Sequence, residues 1–265
     1  MNTQDILNDG NVYTTAESLP STPSTADQYI QSTFTTTTAP PNNHLLQFNV
    51  PDSRSNPLQS LLPYLTHEPT VFIMRGLPGS GKSSLAQSIK TYYHTTYQHH
   101  NNNTGNVSIC SADNYFINSA TNEYVFNIDK LPAAHLYCMQ CYINSIESRV
   151  PIIIIDNTNQ QLWNYTEYIA YLNQYNKRNR THQYKLQIIE ITIDDVELYT
   201  NNQLHDIDVC VYQNQHHVSY DKISIMKLRH EHDSNATQIP CYLTNELLYD
   251  IYTKKTSRST PYNEQ

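Results

Sequence analysis

Residues 75–84, "RGLPGSGKSS", hold three of the five glycines in a chain of 265 residues. Gly76, Gly79 and Gly81, followed by Lys82 and Ser83, complete the pattern G-x-x-x-x-G-K-[ST]. Bare glycines at this spacing let consecutive amide N–H groups turn inward around an anion. Leu77, Pro78, Ser80 and Ser84 supply the remaining backbone of the cradle. Lys82 adds a mobile point charge for the outer phosphates and is expected to be an exposed cation at the loop. The Ser83 hydroxyl can ligate Mg²⁺. A helix predicted to begin near Lys82 aims its unpaired N–H groups and the positive end of its dipole at the same point. A plain turn between strand and helix would need neither the lysine nor the hydroxyl, so nucleotide binding is the expectation.

Two carboxylates stand in comparable places. Asp113 closes "VSICSAD" and Asp156 closes the apolar run of "VPIIIIDNTN". Phosphoryl transfer is mostly positioning and electrostatics, and it needs a phosphate cradle, a metal and a carboxylate to take the acceptor's proton. Asp113 suits the base, and Asp156 or Asn157 suits the metal's water shell. Two plainer roles stay open on the sequence: Asp113 as a cap for the turn in "SADNYF", and Asp156 as the head of an Asx-turn.

The elements that must position these groups follow from apolar patterning. Residues 71–74, "VFIM", read as a short buried strand, and Leu85, Ala86 and Ile89 as one face of the helix after the glycine loop. "VSICSAD", "VPIIIIDNTN" and "YKLQIIEITI" are three more strands. Helices are predicted over about 83–97, 132–148, 160–176 and 220–231, the second opened by a proline in its first turn. Strands separated by helices imply an α/β fold: a P-loop NTPase three-layer sandwich with a parallel sheet, helices on both faces and ligands at the carboxyl ends of the strands.

Composition sets the bounds. Residues 1–66 contain "TTAESLPSTPSTADQ" and "STFTTTTAPPNN", too polar to offset chain entropy by burial, and are expected to form a disordered or extended arm. Within it, "LLQFNV" and "LQSLLPYL" read as a lid or edge contact on a kinase-like domain spanning 67–235, with 236–265 as a C-terminal tail. There is no apolar run of membrane-spanning length and no signal-peptide pattern, so an intracellular protein, cytoplasmic or nuclear, is expected without membrane contact. Five scattered cysteines fit reduced thiols. Cys138 and Cys141 form a lone C-x-x-C inside a helical pattern and read as helix core. The net charge of −8 excludes a surface that is basic throughout. "RHEHDSN" places His230, His232 and Asp233 together, which reads as capping and solvated polar surface. "KKTSR" is a small basic tail, and the 22 tyrosines invite base stacking but are spread along the whole chain.

"RGLPGSGKSS", "ICSADNYF", "IIIIDNTN" and "HHVSYDKISIMKLRHEHD", in this order, resemble the P-loop polynucleotide-kinase-like family, in particular its branch of NEDD-four-binding-protein-two-like proteins. The resemblance covers about residues 70–233. It implies an ATP- and Mg²⁺-dependent kinase acting on a 5′-hydroxyl of a nucleic acid or nucleotide. Asp113 would be the base, Lys82 and Ser83 would serve phosphate and metal, and Asp156–Asn159 would support the loop and metal region. Members usually carry "RN-x-H-x-V" at the lid. Here "QNQHHV" puts Gln213 at the arginine position, while Asn214, His216 and Val218 match. A second family arginine, after the tyrosine of the base motif, is replaced by Phe116. Arg75, Arg178, Arg180 and Arg229 are the available substitutes, and solvated surface charge is their plainer role. A lid without its arginine also admits a second reading, a catalytically weak nucleotide-binding scaffold or virion-associated module. An ATPase motor fits less well, because the chain is short and lacks evident sensor arginines.

Overall fold

Four isoleucines in succession, Ile152–Ile155, cannot show one face to water, and a strand buried on both faces belongs in a parallel sheet. The computed structural model describes residues 57–97, 106–193, 196–197, 203–241 and 243–259, all within one compact unit. Strands β1 (Thr70–Arg75), β2 (Val107–Cys110), β3 (Ile152–Asp156), β4 (Lys185–Thr192) and β7 (Ala236–Pro240) form one sheet. Its order is β2-β3-β1-β4-β7, and all its pairings are parallel. The short strands β5 (Val196–Glu197) and β6 (Gln203–Leu204) pair antiparallel apart from it. Register sets Met74 beside Asp156 and Arg75 beside Glu190, so the functional ends of three strands share one edge.

The helices are α1 (Pro57–Leu61), α2 (Lys82–Tyr97), α3 (Leu131–Glu147), α4 (Thr166–Arg178), α5 (Asp206–Gln213), α6 (Tyr220–Leu228) and α7 (Asn245–Ser259). Val71, Ile73, Ile153 and Ile155 join Cys138 and Tyr142 of α3 and Tyr168, Leu172 and Tyr175 of α4 in one core. Phe72, Met74, Ile152 and Ile154 alternate to the other face of the sheet, where Leu85, Ala86 and Ile89 of α2 are buried. The result is the expected α/β P-loop sandwich. Many tyrosines have structural work in it. Tyr142 donates its hydroxyl to Tyr168 O at 3.0 Å, Tyr184 to Val150 O at 2.8 Å and Tyr93 to Thr66 O at 2.9 Å, so each buries its ring and keeps its polar tip paired.

Both expected domain boundaries move outward. "LQSLLPYL" makes the expected edge contact but belongs to the domain rather than to an arm: α1 and the single turn Leu62–Tyr64 bury Leu58, Leu61 and Leu65, and α1 packs against α2 and the edge strand β7. At the other end, β7 is a sheet strand and α7 buries Leu248 and Ile251, so residues 236–259 belong to the domain rather than to a tail. Lys255 of "KKTSR" returns to Asp208 of α5 at 2.6 Å, and Lys254 lies over the ring of Tyr212. These segments are short and mostly polar, and their few apolar residues gain meaning only from their neighbours in space. "LLQFNV" and the Ser/Thr/Pro-rich stretches lie outside the described residues. No described helix is long and apolar enough to cross a membrane.

Candidate phosphate-binding and phosphoryl-transfer site

The glycine loop leaves β1 with φ values that disfavour side chains: 140° at Gly76, 79° at Gly79 and 98° at Gly81. Gly76 N–H donates to Thr158 O at 3.0 Å, and Ser80 N–H to Leu77 O at 3.1 Å, which closes the loop. At Gly79 the crowding is as strict as the dihedral, for a Cβ there would stand 2.1 Å from the Cys210 carbonyl oxygen of α5. Lys82 and Ser83 open α2, where amides have no intrahelical partner and the dipole is positive. The Ser80 hydroxyl is buried with no hydrogen-bond partner among the described residues.

Lys82 differs from expectation. It is only 7% exposed, and its Nζ donates across the loop to Leu77 O at 2.7 Å. Burial pushes its pKa down, while the charges of Asp156, Cys210 and Asp113 pull it back up. The side chain lies inside the closed loop because α5 covers it, a contact that no local pattern records.

Asp156 ends β3 buried beside this lysine. Burial raises its pKa, opposed by a hydrogen bond from Ser83 and by the charge of Lys82. Its carboxylate faces Ser83 and Lys82, and no Asx-turn bond from it is found among the described residues. The next three residues act as a staple. Asn157 Oδ1 accepts from Ala112 N–H at 2.9 Å, Thr158 O receives Gly76 N–H, and Asn159, at φ 43°, donates from Nδ2 to Met74 O at 2.9 Å. The ends of β1, β2 and β3 are thereby tied to one another.

Asp113 lies on the 3-10 helix Ala112–Phe116, and the capping role falls to Ser111, whose Oγ accepts from Asp113 N–H at 3.3 Å. This frees the Asp113 carboxylate. Tyr124 Oη donates to its Oδ1 at 3.1 Å, and His216 Nε2 stands 3.6 Å from Oδ2. The rings of Tyr124 and His216 are 4.2 Å apart. Burial and the neighbouring Asp113 charge keep the Tyr124 hydroxyl protonated, and so a donor.

The two lid candidates separate. Gln213, the last residue of α5, has Oε1 4.0 Å from Cys241 Sγ, and that sulfur lies 3.9 Å from where a Gly81 Cβ would be. Its amide is therefore beside the loop. Asn214 instead bonds only its own turn: Nδ2 donates to Val211 O and Val218 O, and Oδ1 accepts from Val218 N–H at 2.6 Å. It builds the turn that carries His216 to Asp113.

Two of the substitute arginines are engaged elsewhere. Arg75 is fully buried, with Nη1 2.7 Å from Glu190 Oε2, Nε donating to Asn159 O, Nη2 donating to Gln160 O and Glu231 O, and its guanidinium over the Tyr165 ring. It is neither surface charge nor free to reach a phosphate. Arg178 pairs with Glu147 at 3.9 Å on the surface, and Arg180 and Arg229 are exposed. "RHEHDSN" also departs from its expected solvated role. His230 Nε2 is 2.8 Å from Glu190 Oε1, and buried Asp233 accepts from Tyr165 Oη at 2.6 Å. No group of three or more His, Cys, Asp or Glu suited to a metal occurs among the described residues. Phe116 is buried, and Cys138 is a core residue as read.

Sequence reasoning missed Tyr124 and gave His216 no role. The histidine could have been found from the lid pattern it completes. Tyr124 carries no such signal, because an irregular hairpin returns it to a residue eleven positions back.

No family model matches the chain. A stretch of 114 residues, 43% of the chain, is 32% identical to NEDD4-binding protein 2 of Homo sapiens. The chain spans about 5% of that protein's length. A gluconokinase from Sinorhizobium meliloti 1021, known from its crystal structure, aligns over 72% of this chain and 98% of its own, with 9% identity and a TM-score of 0.34. A likeness of that size carries no functional weight.

Proposed function

We propose that this chain is an ATP-dependent kinase of the polynucleotide-kinase-like family that transfers the γ-phosphate to a 5′-hydroxyl of a nucleic acid or nucleotide. The observation that carries the reading is the meeting of four groups at one sheet edge: Lys82 and Ser83 at the head of α2, Asp156 beneath them, and Asp113 close enough for its charge to act on both Lys82 and Asp156.

The residues fit the groups they would hold. The orphaned Ser80 hydroxyl and the first amides of α2 suit a phosphate oxygen. Ser83 and Asp156 offer the hard oxygen donors that Mg²⁺ prefers. The metal would neutralise charge on the β- and γ-phosphates. Lys82 would exchange its bond to Leu77 O for a phosphate oxygen. Asp113 would accept the proton of the attacking hydroxyl, with Tyr124 and His216 fixing the rotamer of its carboxylate.

The direct test incubates the protein with γ-labelled ATP and a panel of 5′-hydroxyl DNA, RNA and nucleosides. Label at a 5′ end supports the kinase. Nucleotide binding with no transfer to any acceptor favours the scaffold reading, which rests on one observation, the neutral Gln213 beside the loop. Lys82→Ala should weaken Mg·ATP binding by tenfold or more while leaving the unfolding midpoint unchanged or higher, because a desolvated cation is removed. Calorimetric titration and thermal melts check both parts.

Gln213→Arg should raise turnover more than it raises ATP affinity. Arg75 is held by Glu190 and Arg178 pairs with Glu147, and a guanidinium at position 213 would act mainly in the transition state. A tenfold gain in kcat corresponds to about 1.4 kcal/mol. Unchanged kcat and KM would rule out a lid role for this position.

A further inference from the structure

We infer that an aromatic ledge beside Asp113 receives the terminal nucleobase of a single-stranded 5′-hydroxyl acceptor by stacking; this rests on the kinase reading and specifies its acceptor subsite. The large apolar side chains exposed among the described residues are not evenly scattered. Half of them, seven of fourteen, fall between Tyr115 and Tyr137. Three are rings: Tyr115, Phe126 and Tyr137 are 38%, 50% and 42% exposed.

These rings form a continuous path from the carboxylate outward. Tyr124 holds Asp113, Phe116 lies 6.0 Å from Tyr124, Phe126 5.1 Å from Phe116, Tyr115 5.5 Å from Phe116, and Tyr137 5.9 Å from Tyr115. The path is built, not loose. A bridge pairs Ile117 with Tyr124, Val125 N–H donates to Phe116 O at 2.9 Å, and Asn118 N–H to Glu123 O at 2.8 Å, with Asn122 at φ 57° turning the chain.

Position selects the occupant. A group that presents a hydroxyl to Asp113 comes close to Tyr115, two residues on, and to the rings that continue from it, and a nucleobase is the flat, apolar part of a nucleic-acid end. A protein seated permanently on the ledge would obstruct the same approach. The charged side chains of this stretch, Lys130 against Glu123 and Asp129, supply no excess of positive charge. No arginine occurs between Asp113 and Tyr137 to clamp a phosphate. The contact therefore depends on stacking, with a shallow dependence on salt.

The test measures equilibrium binding of a 5′-hydroxyl hexathymidylate, and of the same oligomer with an abasic terminal residue, at two salt concentrations and without ATP. Tyr115→Ala, Phe126→Ala and Tyr137→Ala are compared with Leu228→Ala, an exposed apolar residue of α6. The base-bearing oligomer should bind about tenfold or more tightly than the abasic one. The three ledge variants should erase that difference with ATP affinity intact, and Leu228→Ala should not. Equal binding of the two oligomers overturns the inference, as do ledge variants that lower ATP affinity instead. So does dissociation of a self-associated protein by the ledge variants, seen by sedimentation, with oligomer binding unchanged. Absence of label transfer to any acceptor counts against the kinase reading alone, because stacking is read from binding.

Discussion

Asp113→Asn is expected to lower phosphoryl transfer by ~10²-fold or more while ATP affinity stays within a factor of two or so. The amide keeps the shape of the carboxylate and can still accept from Tyr124 Oη, but it cannot take the acceptor's proton. Because Ser111, not Asp113, caps the 3-10 helix, the substitution removes no helix cap, and the unfolding transition should move little. Single-turnover rates with a saturating 5′-hydroxyl acceptor, together with a nucleotide titration, separate the two effects. Loss of folded protein with normal specific activity in the remainder would assign Asp113 a structural role. Tyr124→Phe supplies a graded comparison. It removes one tether of the same carboxylate without changing its charge, and its loss of rate should be smaller.

The second large effect concerns stability. Arg75→Met should destabilise the domain by about 3–5 kcal/mol, since removing one member of a buried ion pair leaves the other charged and unpaired. Glu190 would be that residue, stripped of its guanidinium partner and keeping only the contact with His230, and three backbone carbonyls, of Asn159, Gln160 and Glu231, would lose their donor in the same step. Arg75 immediately precedes Gly76, so nucleotide binding should weaken as well. A double variant, Arg75→Met with Glu190→Gln, should recover part of the loss. Denaturant unfolding measures both, and additive losses would show that the pair is not coupled.

The same cluster predicts acid sensitivity. Burial alone would raise the Glu190 pKa, but the hydrogen bond and charge of His230, together with the Arg75 charge, hold it below the ordinary 4.5. A carboxylate with a depressed folded pKa contributes stability that is complete above its unfolded pKa and lost as pH falls through the folded one. The unfolding free energy should therefore drop below about pH 4.5, and it should drop less steeply in the Glu190→Gln variant.

The sequence by itself determined the α/β class, the sheet strands β1 to β4 and the glycine loop between β1 and α2, because each is written locally. A continuous apolar run needs a parallel sheet to cover both its faces, and three glycines in six positions mark backbone held at positive φ. It also placed Asp113 and Asp156 at strand ends, and hence at the edge where the loop lies. Tertiary structure alone decided what each polar group is free to do. Arg75 and the lid region are both rich in hydrogen-bonding groups in the sequence. Only the fold shows that the arginine is consumed by Glu190 while Gln213 ends the helix whose Cys210 carbonyl crowds Gly79. The burial of Lys82 arises from α5, more than a hundred residues away, and the partners of Asp113 come from a hairpin and a turn with no periodic pattern. The outer strand β7 and helix α7 escape notice, and α1 reads only as an edge contact, for a related reason: a few apolar residues in a polar segment become core only when a neighbour supplies the opposite face. Side-chain ionisation and pairing depend on contacts between distant segments, whereas strand, loop and helix identity depend on neighbours along the chain.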